Sequence, residues 1–183
     1  MKRILIVLSI VIVVLGAIFS FLYFGGSSLV LSVVGQGDSA LVPGAGLIGK
    51  RLPQFNLSNL AGKQVRSADL VGTPLVIMFW STWNTQSADE IHILDQYLSS
   101  QKSLVRVVAI NSQEDSSVVS TFMHRGGYRV ETLLDTRGLA SENYAIKGMP
   151  AFYFIDRTGV IREVHSGVLS QDALMNMIEK ILP

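Results

Sequence analysis

Cysteine is missing altogether from the 183 residues. This excludes disulfides as a source of stability and thiol chemistry by any side chain of the chain itself. Charge is scarce: Asp, Glu, Lys and Arg make up only 16% of the residues, below the share of an ordinary soluble domain. With Lys2 and Arg3 set aside, 13 basic residues face 14 acidic ones, scattered and without a basic stripe. That excludes the electrostatic footprint of a nucleic-acid binder. His92, His124 and His165 fall on separate predicted elements and show no ligand spacing, so no metal site is expected. The glycines form no phosphate-binding fingerprint, and there is no G-x-S-x-G elbow. No cofactor is expected.

What is present is apolar, at 49% of the residues, and the excess sits at the start. Residues 4–24 carry no charge and follow Lys2 and Arg3. As a helix they would span about 31 Å, enough for a bilayer core. A cleaved signal peptide has a shorter apolar region of about 7–15 residues. Tyr23 and Phe24 close the run like an interfacial belt. The expectation is a single-pass anchor over 1–24 with Lys2 and Arg3 in the cytoplasm and the rest of the chain outside it. Residues 25–48, rich in Gly and Ser, read as a linker. The folded domain is placed at 49–183.

That domain alternates strands and helices. A small hairpin turning at Ala61–Gly62 comes first, then a helical turn starting at Ser67. The run LVIMFW at 75–80 reads as a central strand buried on both faces. Ile91, Leu94 and Leu98 mark a helix over 87–98. A second central strand is expected over 104–111. A helix follows, starting at Asp115 or Ser116 and stopping at Gly126. ETLLD reads as a short strand and GLASENY as a short helix. AFYFID and VIREVH read as an antiparallel pair, and an amphipathic helix capped by Ser170 closes the chain. The sum is an α/β domain, a mixed central sheet with helices on both faces.

The motifs FW-x-x-W at 79–83, Tyr144-x-Ile146-x-Gly148-x-Pro150 and Ile155-Asp156-x-x-Gly159 resemble, in order and spacing, the thioredoxin superfamily. The resemblance is nearest to membrane-tethered TlpA/ResA-type thiol–disulfide oxidoreductases, grouped with AhpC/TSA-like redoxins. It runs from about residue 49 to 182 and implies the thioredoxin-like fold, with Pro150 at the family's cis-proline.

At the active site the sequence departs from that family. Asn84 stands where the attacking Cys of W-C-x-x-C would be, and Ser87 where the resolving Cys would be. Neither an amide nor an ordinary serine hydroxyl forms a mixed disulfide. Met78 replaces a polar residue, Gln86 a proline, and His92 another proline. Changes at several positions read as natural loss, and no catalytic residue is assigned. Asn84 and Ser87 are good N-cap types, and Ser87-Ala88-Asp89-Glu90 fits a capping box. Trp80 is expected in the core and Trp83 at the surface. In the family the residue before the proline offers its backbone to an extended chain, a role that falls to Met149. Trp83, Asn84, Thr85, Met149 and Pro150 are thus the candidate binding groove. Three functions compete: a redox-inactive protein- or peptide-binding accessory module, an oxidoreductase or antioxidant-type protein whose partner supplies the thiols, and a purely structural subunit of a membrane complex.

Overall fold

The computed structural model describes residues 42–100 and 105–183. The expected anchor at 4–24, most of the linker and the start of the strand expected over 104–111 lie outside the described residues. Among the described residues no helix is long and apolar enough to cross a membrane.

Seven strands form one sheet in the order β2-β1-β5-β4-β3-β6-β7. Strands β3 (Leu75–Trp80), β4 (Arg106–Ser112) and β5 (Glu131–Asp135) run parallel. β6 (Ala151–Ile155) lies antiparallel to β3, and β7 (Ile161–Ser166) antiparallel to β6. The hairpin β1 (Asn56–Asn59) and β2 (Gln64–Arg66) extends the other side through β1 and β5. Its turn needs a left-handed residue, and Gly62 supplies it at φ 80°. All six residues of β3 are buried, as a strand covered on both faces requires.

Helices α1 (Thr85–Ser100), α2 (Ser116–Gly126) and α4 (Gln171–Glu179) cover one face. There Ile91, Leu94, Val119, Met123, Leu174 and Ile178 pack on Val76, Met78, Trp80, Val107 and Ala109. The short α3 (Leu139–Asn143) and the hairpin segments cover the other face, where Phe55, Val65, Leu70, Ala140 and Tyr144 meet Ile77, Phe79, Val108 and Ile110. Tyr144 stacks edge-on against Tyr153 at 4.9 Å between ring centroids. Burial of each such large side chain contributes roughly 2–3 kcal/mol.

Two expectations about element ends need correction, and the helical turn expected from Ser67 is present. α1 begins at Thr85, two residues before the expected start. α2 extends through Gly126, and Gly127, at φ 65°, is the left-handed cap. The turn Ser67–Leu70 is a 3-10 helix capped from Arg66, whose side chain and backbone engage Asp69. Ser170 caps α4 as expected, its hydroxyl accepting from Ala173 N at 3.2 Å.

Candidate functional site

β3 delivers the chain to the carboxyl edge of the parallel strands, and α1 starts five residues after Trp80. Of the four residues between, Thr82 is pinned from the segment that follows β4. Trp80 lies level with Asn111 in the parallel register. Just beyond, Glu114 accepts from Thr82 N at 2.7 Å, from Thr82 Oγ1 at 2.5 Å and from Asn111 Nδ2 at 2.7 Å. Three donors on one carboxylate make this a charge-assisted clamp.

Asn84 is the hinge of the site. Its Oδ1 accepts from Ser87 N at 3.0 Å, which is N-cap geometry, and its backbone carbonyl accepts from Ala88 N at 3.1 Å. Its Nδ2 donates to Met149 O at 3.0 Å. One side chain therefore ties the start of α1 to the Met149–Pro150 peptide, which is cis. Ser87 is not the cap. Its hydroxyl is buried and has no protein partner. The capping-box pairing of Ser87 with Glu90 is also absent, because the helix begins earlier and points Glu90 elsewhere. Glu90 is buried, and its Oε1 accepts from Leu169 N at 2.7 Å. Burial pushes the Glu90 carboxyl above its ordinary range, and the Leu169 N–H and His165 only partly offset this.

The loop joining β7 to α4 closes the other side. Gly167 N donates to Pro150 O at 2.8 Å, and the neighbouring Val168 is 54% exposed. Trp83 is 68% exposed, whereas Trp80 is fully buried. Asn84, Ser87, Met149 and Pro150 thus come together, and Trp83, on the loop, and Thr85, the first residue of α1, are exposed on either side of Asn84. Met78 is fully buried among apolar neighbours, so no polar group reaches the loop from that position. His92 is hydrogen-bonded to Gln96 at 2.8 Å, and His165 to Val168 O at 3.0 Å.

Glu114, Thr82, Glu90 and Val168 were not singled out for the site from the sequence. Glu114 follows β4 closely, which was the one available signal. Nothing local marks the pairing of Glu90 with Leu169, 79 residues away.

The sheet, the cis-proline loop and the helix that starts beside it define a thioredoxin-like α/β domain. The model of the AhpC/TSA family matches residues 48–164, and the chain belongs to that family. Within it, the chain is similar to thiol-disulfide oxidoreductases of the ResA type. It is 26% identical over 137 residues to the thiol-disulfide oxidoreductase ResA of Geobacillus thermodenitrificans (strain NG80-2), covering 74% of this chain and 79% of that protein. ResA of Bacillus subtilis (strain 168) is 26% identical over 136 residues, covering 74% and 76%. Among solved structures, a protein assigned as thiol:disulfide interchange protein DsbE from Chlorobium tepidum aligns with a TM-score of 0.69 at 25% identity, over 74% of this chain and 98% of that one. A secreted Mycobacterium tuberculosis disulfide oxidoreductase homologous to E. coli DsbE aligns with a TM-score of 0.63 at 25% identity, over 69% and 96%.

Proposed function

We propose that this protein is a membrane-anchored, extracytoplasmic binding or accessory module that has left thiol chemistry behind. The observation that carries the reading is the double use of the Asn84 side chain. It stands at the family's attacking position, and both of its polar ends are engaged with the scaffold, one on Ser87 N and one on Met149 O. Ser87, at the resolving position, is buried. Disulfide exchange needs an accessible thiolate, and the chain has no sulfur of that kind.

What the site does offer is surface. Trp83 and Val168 are large, apolar and exposed on the loops that meet at Asn84 and Pro150. Exposed aromatic and aliphatic side chains on loops held by a rigid sheet suit protein or peptide recognition. The anchored, outward placement rests on the uncharged run at 4–24 behind Lys2 and Arg3.

One experiment in intact cells addresses both parts. A photo-reactive side chain replaces Trp83 in one variant of the full chain and Arg157, at the far end of the sheet, in another. Irradiation should give a discrete protein adduct from position 83 and none from 157, in washed membranes. Equal adducts from both positions, or none from 83, would sink the binding reading. Recovery of a trimmed soluble protein would sink the anchor. In parallel, the purified chain should not accelerate insulin-disulfide reduction beyond dithiothreitol alone. A clear excess would favour the oxidoreductase reading.

A further inference from the structure

Beside Thr82, the chain neighbour of Trp83, and without Asn84 or Met149 in its lining, lies a cavity of about 670 Å³. Thr82, Val118, Phe122, Arg125, Gly126 and Tyr128 contribute to its lining. We propose that it is a side-chain pocket for an apolar residue of a partner polypeptide, with a carboxylate of that polypeptide set against Arg125. This rests on the reading of the Trp83 region as a binding surface and names the chemistry of what binds.

Three observations carry it. The first is a stiff apolar floor. Phe122 lies 5.3 Å from Trp80 and 5.7 Å from Tyr128 between ring centroids, and Tyr128 lies 6.1 Å from His92. A chain of rings rooted in the buried Trp80 does not collapse into the space above it. Gly126 belongs to the same design. A Cβ at that position would lie 2.0 Å from the Tyr128 ring, so only glycine lets the ring rest across the end of α2.

The second is the rim. Val118 is 48% exposed, and Thr82 links the cavity to the 68%-exposed Trp83. Thr82 is not free to fold over the opening, because Glu114 holds both its N–H and its hydroxyl. Exposed apolar groups around an open concavity mark a contact surface rather than a core.

The third is charge. Arg125 is the one charged residue in the lining. Among the described residues it makes no ion pair, unlike Arg106, Arg129 and Arg162. An unpaired guanidinium beside an apolar cavity selects for an acidic neighbour on the occupant and against a basic one.

The absence of native cysteine supplies the test. Val118→Cys places a unique thiol on the cavity rim, and Val168→Cys places one on the other side of the Asn84 loop. Each full-length variant, in detergent micelles, is labelled with a maleimide in the presence of acetyl-Gly-Ser-Phe-Glu-Ser-Gly-amide. The controls are the same peptide with alanine for phenylalanine or with lysine for glutamate. The phenylalanine–glutamate peptide should slow labelling after Val118→Cys severalfold; the alanine control should bind about tenfold more weakly and the lysine control about threefold to fivefold more weakly. Arg125→Glu should invert the preference between the glutamate and lysine peptides. Protection of the Val168→Cys thiol alone would overturn the cavity proposal and leave the binding surface standing. Protection of neither thiol, or of both equally by all three peptides, would overturn both. Protection of the Val118→Cys thiol by self-association without peptide, seen as a dimer in sedimentation, would replace the partner by a second copy and overturn the proposal.

Discussion

The two ends of the central sheet are built to different standards. At the end away from the site, the β6–β7 hairpin turns on Asp156. Its Oδ1 accepts from Thr158 N at 2.8 Å, Thr158 Oγ1 at 2.6 Å and Val160 N at 3.1 Å, and its Oδ2 accepts from Arg162 Nε at 2.7 Å. At the other end, where β3 runs into α1, Trp80 Nε1, Ser81 Oγ, Ser87 Oγ and Asn111 Oδ1 are buried without a protein partner. No other buried side-chain atom among the described residues is left in that state. Buried polar groups that lack a hydrogen-bond partner cost stability, and those without a protein partner collect at this edge.

The largest effect should come from the satisfied end. Asp156→Ala removes four hydrogen bonds at once and should destabilise the protein by about 3 kcal/mol at neutral pH, read from chemical denaturation. Burial alone would raise the Asp156 carboxyl, but the bonds from Thr158, Val160 and Arg162 outweigh it and hold it at about 2. A depressed folded value stabilises above the unfolded value of about 3.9, and that share is lost as pH falls through the folded one. The gap between wild type and variant should therefore be full at pH 5 and shrink from pH 4 towards 2. A gap of constant size across that window would contradict the assignment.

Asn84 offers an intermediate effect and sharpens the comparison from the site end. Asn84→Ala loses the cap and the bond to Met149 O, about 1 kcal/mol for each. Asn84→Asp keeps a capping oxygen and loses only the donor, setting a carboxylate against a carbonyl. If thermal unfolding gives the two variants the wild-type midpoint, Asn84 is not the hinge described above. The smallest effect has the opposite sign. Ser87→Ala deletes a buried hydroxyl without a partner and should leave stability unchanged or raise it by up to about 1 kcal/mol. A clear loss on calorimetry would show that the site end is as well satisfied as the hairpin and would remove the contrast.

Much of the fold was written in local patterns. LVIMFW reads as a doubly covered strand, and Ser170 announces α4 by its type and place. The start of α1 was misread because S-x-x-E recurs at 87–90 inside the first turn, where Asn84 has already closed the helix end. Pattern alone cannot choose between two caps three residues apart. The stop of α2 was missed by one residue because two glycines are adjacent and only Gly127 takes the left-handed conformation. For the site, the chain order of Trp83, Asn84, Met149 and Pro150 was legible. The clamp of Thr82 by Glu114 was not, because it exists only once β3 and β4 lie in register and bring together residues 32 apart. Val168 looks like any surface valine until Gly167 N is seen to bond Pro150 O.

The amide bridge from Asn84 to Met149 has a consequence beyond this chain's stability. A pair of cysteines at 84 and 87 would give the loop two covalent states and two sets of contacts, selected by the potential of the surroundings. An amide has no such choice. Its two hydrogen bonds are the same in oxidising and reducing solution, so the face presented by Trp83 has one shape at every potential. On the binding reading proposed above, the surface around Asn84 would answer to no change of potential through residues 84 and 87, and a partner docking there would meet a constant landmark rather than a switch.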